Sequence, residues 1–229
     1  MVEAARKRRN NTSVSQEDYL KAIWEMEQEE QEHIRARLSE VLGVTPPAVT
    51  AALKRMARNG TVRLLRRGQM RLTSKGREIA NHLVLRHRLA EKLLSEVLGM
   101  PWTRVHDEAE KLEHAISPEV EGLLLKYFGR QGPCPHGNPL FRGVSGQRRQ
   151  NCARRLSKTQ AGQRLEIQRV YEKESGFLEY LDRNRLRPGT RLLVEHIDYD
   201  QTMQLLVAGK TVHLGRSASD RIWVRPLRR

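Results

Sequence analysis

The stretch "VLGVTPPAVT", residues 41–50, restricts the fold around it more than any other part of the chain. Gly43 is the natural stop of a helix whose apolar stripe is Ile34, Leu38, Val41 and Leu42, because glycine closes a helix in the left-handed conformation without a Cβ penalty. Thr45 then caps a new helix, and Pro46 and Pro47 take first-turn positions where no backbone donor is needed. That helix, "TPPAVTAALKRMARNG", ends at Asn59-Gly60. Upstream, Ser15 can cap a helix carrying Leu20, Ile23, Trp24 and Met26 at helical spacing. Downstream, "TVRLLRRGQMRLTS" reads as two short strands around Arg67-Gly68. Helix, helix, tight turn, helix and basic hairpin is the order of a winged helix-turn-helix.

Charge supports that reading of residues 1–75. The chain carries 42 Lys and Arg against 27 Asp and Glu, a net charge of +15, which calls for an anionic partner. The excess is local: residues 33–75 hold ten basic side chains and one acid, whereas residues 76–140 hold eight basic and nine acidic. Double-stranded DNA is therefore the expected partner. Thr45, Ala48, Thr50 and Ala51 would face bases from the first turn of the third helix, with Pro47 beside them. Lys54, Arg55, Arg66, Arg67 and Arg71 would meet phosphates, and Arg35 and Arg37 complete the DNA-facing set. Small side chains at the helix tip imply modest base readout, supplemented by thymine methyl contacts and DNA shape. No apolar run approaches the roughly 18 residues that span a bilayer, and "MVEAARKRRNNTS" has no hydrophobic stretch after its basic residues. The expectation is a cytoplasmic protein with no membrane partner.

A different chemistry begins after Lys75. A long helix, "KGREIANHLVLRHRLAEKLLSEVLG", carries an apolar stripe of Ile79, Leu83, Leu89, Leu93 and Val97 and stops at Gly99. A second helix, from about Trp102, holds "HDEAEKLEH", in which His106, Glu110, Glu113 and His114 recur at steps of four, three and one. Those steps place them along one helical face, and such a face is either solvated or bound to something. Ser117-Pro118 caps a third helix with Val120, Leu123, Leu124 and Tyr127. Three helices with wide apolar faces beside a DNA-binding module make a dimerisation platform, so a homodimer is expected. With only Cys134 and Cys152, a disulfide framework is not expected and a four-cysteine zinc site is excluded, so any metal must lean on His and carboxylate. Residues 141–155 read as a linker. In residues 156–229, "GQRLEIQRVYE", "GTRLLVEHIDY", "MQLLVAGKTVHLG" and "RIWVRPL" are β-prone runs of a small barrel, with "GFLEYLDRNRLRPG" as one helix. The fold class is thus mainly α, with a winged helix-turn-helix in residues 1–75, a helical dimerisation domain in 76–140 and a β-barrel at the end. No nucleophile and base arrangement or phosphate loop stands out, so neither an enzyme nor a small organic substrate is expected.

The run "RHRLAEKLLSEVLGM..TRVHDEAEKLEHAIS", with "EDYLKAIWEM" and "CPHGNPLF", resembles the diphtheria toxin repressor family of metal-activated repressors. Within it, the chain is most similar to manganese-responsive regulators that keep a C-terminal SH3-like domain. The resemblance implies a homodimeric repressor of metal uptake that binds a palindromic operator. It also implies a primary metal site of Asp18, Glu110, Glu113 and His114. A second site would draw on His87, Glu91, His106, Cys134 and His136, with Glu172 or Glu174 from the C-terminal domain. Asp18 has a plainer reading as a capping-box acid three residues after Ser15. Asp18 and Glu110 stand where iron-responsive members carry sulfur ligands, and carboxylates suit Mn(II), with Fe(II) as the second candidate. Lys21 departs from the shorter manganese regulators, whose carboxylate at that position helps hold a two-ion cluster, and so speaks against such a cluster at the primary site. Two other classes stay open: a helical-bundle di-metal carboxylate enzyme, disfavoured because Glu110-x-x-Glu113-His114 is not a Glu-x-x-His pair, and a basic DNA-binding protein that needs no metal.

Overall fold

The computed structural model describes residues 16–28, 35–141 and 153–227. The chain divides into two compact units, residues 1–84 and 85–229.

In the first unit, α1 (Gln16–Gln28), α2 (Arg35–Leu42) and α3 (Pro46–Arg58) are followed by a hairpin of β1 (Val62–Leu64) and β2 (Met70–Leu72), and then by the start of α4 (Ser74–Lys92). Leu20, Ile23, Leu38, Leu53, Met56 and Met70 are fully buried and hold the three helices and the hairpin around one core. Gly43 ends α2 at φ +64°, as the sequence requires. Thr45 stands at the N-cap of α3, yet its side chain makes no capping hydrogen bond. Pro47 at the second helical position has removed one of the amides that a cap would satisfy. The cap expected at Ser15, and Ile34 of the α2 stripe, lie outside the described residues.

The hairpin is pinned at its base. Thr73 Oγ1 donates to Gly60 O at 2.7 Å, and Glu27 accepts from Leu72 N at 3.3 Å while pairing with Arg77 at 2.6 Å. A Cβ on Gly76 would lie 2.0 Å from Thr61 O, so only glycine lets the start of α4 pass this close to the hairpin.

In the second unit the rest of α4 runs into one π-helical turn, Leu93–Val97, and ends at Gly99 with φ +66°. It packs Leu85, Leu89 and Leu94 against Val105 and Ala109 of α5 (Val105–Leu112) and Leu124 of α6 (Pro118–Phe128). Ser117 does cap α6, accepting from Val120 N at 3.2 Å. Three expectations need correction. Val97 is 47% exposed because the π turn rotates it off the stripe. The second helix begins at Val105 rather than near Trp102, whose ring is buried in the core of the C-terminal sheet and donates to Asp182 at 3.0 Å. That helix also stops at Leu112, leaving Glu113 and His114 in the following turn.

The C-terminal portion is a six-stranded antiparallel sheet in the order β3-β8-β4-β5-β6-β7, from β3 (Arg154–Arg155), β4 (Arg164–Val170), β5 (Arg191–Ile197), β6 (Met203–Val207), β7 (Lys210–Leu214) and β8 (Ile222–Pro226). Alternate residues Leu165, Ile167, Val194, Leu205 and Val224 are buried, and α7 (Ser175–Arg183) adds Leu178 and Leu181 to the same core. "MQLLVAGKTVHLG" forms two strands, turning at Ala208 and Gly209, both at positive φ. β3 lies inside the stretch read as linker, and it joins the sheet by pairing Arg154 and Arg155 with Val224 and Trp223. Among the described residues no helix is long and apolar enough to cross a membrane.

Candidate metal centre

Glu91 lies on α4 with no exposure, and three imidazoles converge on its Oε1. His136 Nδ1 stands 3.0 Å away, His87 Nε2 3.2 Å and His106 Nδ1 3.4 Å. His87 precedes Glu91 by one helical turn, His106 comes from the first turn of α5, and His136 comes from the loop "GPCPHGNP". That loop crosses itself through Cys134 N donating to Asn138 O at 2.7 Å, and Arg88 fastens it to α4 by donating to Pro139 O. It is docked on the sheet by Val170 N donating to His136 O at 3.0 Å. Gly137 allows this, since a Cβ there would lie 2.0 Å from Gln168 O.

The outer nitrogens are oriented. A carbonyl only accepts, so His136 Nε2, 2.9 Å from Trp102 O, carries its proton there and turns Nδ1 inward. In the same way His87 Nδ1 donates to Glu113 Oε2 at 2.5 Å and directs Nε2 at the cluster. An imidazole held by a carboxylate or carbonyl on its far side is the usual support of a metal-ligating histidine. Burial alone would raise the Glu91 carboxyl, yet His136 and His87 beside it hold it well below the usual range. Burial works against a charged His136 too, but Glu91 carries its pKa up to about 9. Burial, with Glu91 and Glu172 adding to it, pushes the Cys134 thiol up.

The sequence-expected second-site residues therefore come together. His87, Glu91, His106 and Glu172 form one set with all donor atoms within 4.8 Å of one another, and Glu91, Cys134, His136 and Glu172 form another. Glu172 is the acid that joins them, 3.6 Å from His136 and held by Asn138 Nδ2 at 2.5 Å, whereas Glu174 pairs with Arg221. Two buried atoms, Glu91 Oε2 and His106 Nε2, have no hydrogen-bond partner. Leaving such atoms unsatisfied costs about 1–3 kcal/mol each, so a mixed nitrogen, oxygen and sulfur donor set with a spare carboxylate oxygen fits a divalent transition-metal ion.

The expected primary set is less assembled within this unit. Glu113 is buried and stands 3.7 Å from His114, whose side chain is 34% exposed. Glu110 is on the exposed side of α5 and stands 3.6 Å from His106, so His106, Glu110, Glu113 and His114 do not share one face. Asp18 sits half-buried in the first turn of α1, in the other unit.

The candidate DNA-facing residues are all in the first unit. Thr45, Pro47, Ala48, Ala51, Lys54 and Arg55 are exposed, and Pro46, Pro47, Thr50, Ala51 and Lys54 line a shallow open depression. Thr50 Oγ1 donates to Pro46 O at 3.0 Å, leaving only its lone pairs outward. Arg35 is half-buried, and Arg37 pairs with Glu40 at 2.9 Å. Arg66 and Arg67 cap the hairpin, with Arg67 at φ +56°. Arg71 lies directly across the ladder from Arg63, both exposed. Like charges in that position destabilise a hairpin unless an anion lies over them. Arg63 was missed by sequence reasoning because only strand register reveals its partner. Asn138 and Arg88 were missed as well, although the asparagine and proline of "GNP" marked a turn.

Three family models match in succession: "Iron dependent repressor, N-terminal DNA binding domain" over residues 11–68, "Iron dependent repressor, metal binding and dimerisation domain" over 73–142, and "FeoA domain" over 154–226. A solved structure described as a manganese-dependent transcriptional repressor in complex with manganese is 32% identical, with a TM-score of 0.84 over 93% of this chain and 100% of that one. The chain belongs to the iron-dependent repressor family. This is a family of metal-dependent, DNA-binding transcriptional repressors rather than enzymes. The iron-dependent repressor IdeR of Mycobacterium leprae is 40% identical over 124 residues, 54% of each chain. The diphtheria toxin repressor of Corynebacterium jeikeium is 39% identical over 124 residues, 54% of this chain and 52% of that protein. The match thus spans about half the length of these curated relatives.

Proposed function

We propose that this protein is a homodimeric, metal-activated transcriptional repressor that binds a palindromic operator and controls metal-ion uptake, with Mn(II) as its activating metal. The observation that carries this reading is the buried cluster on Glu91, where two imidazoles are oriented from behind and a carboxylate oxygen is left without a partner. Asp18, Glu110, Glu113 and His114 would hold the primary ion, and His87, Glu91, His106, Cys134, His136 and Glu172 the second site. A bound ion supplies the positive charge that lets these carboxylates converge. An ion held by all four primary-site residues would offset the mutual repulsion of their carboxylates, so that metal could favour the DNA-binding state by binding it more tightly. Carboxylates at Asp18 and Glu110 favour Mn(II) over softer ions, and the manganese named in the similar structure agrees with that choice.

The proposed DNA contacts divide by role. Thr45, Pro47, Ala48, Thr50 and Ala51 lie at the start of α3 and would read base edges and groove shape. Lys54, Arg55, Arg66, Arg67 and Arg71, with Arg35 and Arg37, would hold phosphates and set the register. Dimerisation is supported by α6, which exposes Val120 (42%), Leu123 (61%) and Tyr127 (72%) at helical spacing along one face.

Selection from a random duplex pool by the full-length protein tests the reading. With Mn(II) or Fe(II) present a palindromic consensus is expected, and with chelator none. Equal recovery under both conditions would end the metal-activated model in favour of a constitutive basic binder.

A further inference from the structure

Trp102 belongs by sequence to the turn between α4 and α5, yet its indole is packed in the core of the C-terminal sheet, where every other member of the cluster is Leu156 or a later residue. The turn around it is fixed, with Met100 N donating to Leu94 O at 2.8 Å and Arg104 N to Pro101 O at 2.9 Å. The C-terminal domain grips the ring at its polar end. Trp102 Nε1 donates to Asp182 Oδ1 of α7 at 3.0 Å, Arg187 Nε donates to the same oxygen at 2.6 Å, and the Arg187 guanidinium lies 5.2 Å from the centre of the indole. An indole needs an apolar slot for its body and an acceptor for its one donor, and a carboxylate is the stronger acceptor.

The main chain of the same residue holds His136. Trp102 O accepts from His136 Nε2 at 2.9 Å, and the two rings lie 5.6 Å apart. Val170 N ties the backbone of His136 to β4, but a bond to its carbonyl sets nothing about its ring. Both ring nitrogens face acceptors, Nδ1 facing Glu91 Oε1 and Nε2 facing Trp102 O. A nitrogen that binds an ion must first give up its proton. The proton held by Trp102 O is the one that stays, and it keeps Nδ1 aimed at Glu91.

We propose that Trp102 is a positioning residue that couples the docking of α7 to the readiness of His136 as a ligand, an inference that rests on reading the chain as a metal-activated regulator. Asp182 and Arg187 grip the indole, the rigid turn carries that grip to the Trp102 carbonyl, and the carbonyl fixes the imidazole. Asp182 is thereby linked to a side chain with which it shares no hydrogen bond. The link also explains why an aromatic side chain from the helical part is buried among strands: apolar burial alone would be served by any large side chain, whereas the bond to Asp182 sets the ring's orientation and with it the path of the main chain.

The test uses the full-length protein carrying Asp18→Ala and His114→Ala, which removes the proposed primary site. Two quantities are read: Co(II) affinity from the Co(II)–thiolate absorption of Cys134, and, in the metal-free protein, solvent exchange of the His136 Nε2 proton by nuclear magnetic resonance with labelled histidine. Asp182→Ala and Trp102→Phe should each weaken Co(II) binding about tenfold, the low end of what is lost when the support of a metal ligand is removed, and should speed that exchange. Together they should cost no more than either alone, because both break one link. Asp182→Asn, which keeps a neutral acceptor, should recover part of the loss. Arg216→Ala, which breaks an exposed ion pair with Asp220, should change neither quantity. Asp182→Ala with unchanged circular dichroism, the parent's Co(II) affinity and the parent's exchange rate would overturn the proposal and leave Trp102 as packing alone. Should Trp102→Phe fail to fold, the two Asp182 variants decide the matter. A parent that binds no Co(II) here would refute the second-site reading, while the exchange rates would still decide whether Asp182 acts on His136.

Discussion

Replacing Gly137 by alanine should detach the Cys-x-His loop from the sheet and weaken both. The added Cβ would sit 2.0 Å from Gln168 O and 2.7 Å from Arg169 Cα, and both are backbone atoms that cannot swing aside as a side chain can. Overpacking of this kind costs about 1–3 kcal/mol. The φ of +88° at this position adds about 1 kcal/mol for any residue with a Cβ. If the loop backs away, the bonds from Val170 N to His136 O and from Asn138 to Glu172 are broken, at about 1 kcal/mol each. Since some of these penalties are alternatives, the expected loss is about 3–4 kcal/mol, a large share of the roughly 5–15 kcal/mol that stabilises an ordinary domain. Urea unfolding of the metal-free protein measures it, with Gly176→Ala as the matched control. Gly176 has open space around its Cβ position in the first turn of α7, so alanine there should be neutral or stabilising by up to about 1 kcal/mol. A Gly137→Ala protein within about 0.5 kcal/mol of the parent would show that the loop does not need this close approach, and that something else brings His136 and Glu172 together.

Three further outcomes are expected. Arg66→Ala with Arg67→Ala should weaken binding to every duplex and flatten the slope of log affinity against log salt by about 0.9 for each phosphate no longer neutralised; an unchanged slope in fluorescence anisotropy would take the hairpin tip off the DNA. Leu123→Arg on α6, where the parent side chain is 61% exposed, should yield a monomer in sedimentation velocity with an unchanged far-UV circular dichroism spectrum, and an intact dimer would place the interface elsewhere. Asp18→Met with Glu110→Cys should move activation of DNA binding from Mn(II) towards Fe(II), Co(II) or Ni(II). An unchanged Mn(II) response would remove those two residues from the primary site.

The parts of the fold legible in the sequence were those written in local rules. Gly43, Pro46-Pro47 and Asn59-Gly60 fix the turn and both ends of α3, and alternation in "RLEIQRV" marks β4. What escaped was decided by residues far apart in sequence. The spacing of "HDEAEKLEH" is helical, but Ala115 N closes a short turn on Leu112 O and α5 stops early, so Glu113 turns inward to His87 while Glu110 stays out. Helical spacing shows which residues can share a face, not where the helix ends. The choice between Glu172 and Glu174 likewise depended on how β4 leaves the sheet: Asn138 claims the first and Arg221 the second. Nothing near Arg63 in the sequence says that it faces Arg71, and nothing near Gly137 says that β4 passes over it.

Metal activation requires that metal and DNA stabilise the same state of the protein. Linkage makes this measurable as a closed cycle on one selected duplex: DNA affinity with and without Mn(II), and Mn(II) affinity with and without the duplex. Mn(II) should tighten DNA binding by about 5- to 150-fold, the usual range of such coupling, and the duplex should lower the product of the coupled Mn(II) dissociation constants by the same factor. Duplex affinity that is identical in chelator and in saturating Mn(II), with Mn(II) affinity indifferent to the duplex, would contradict metal activation outright.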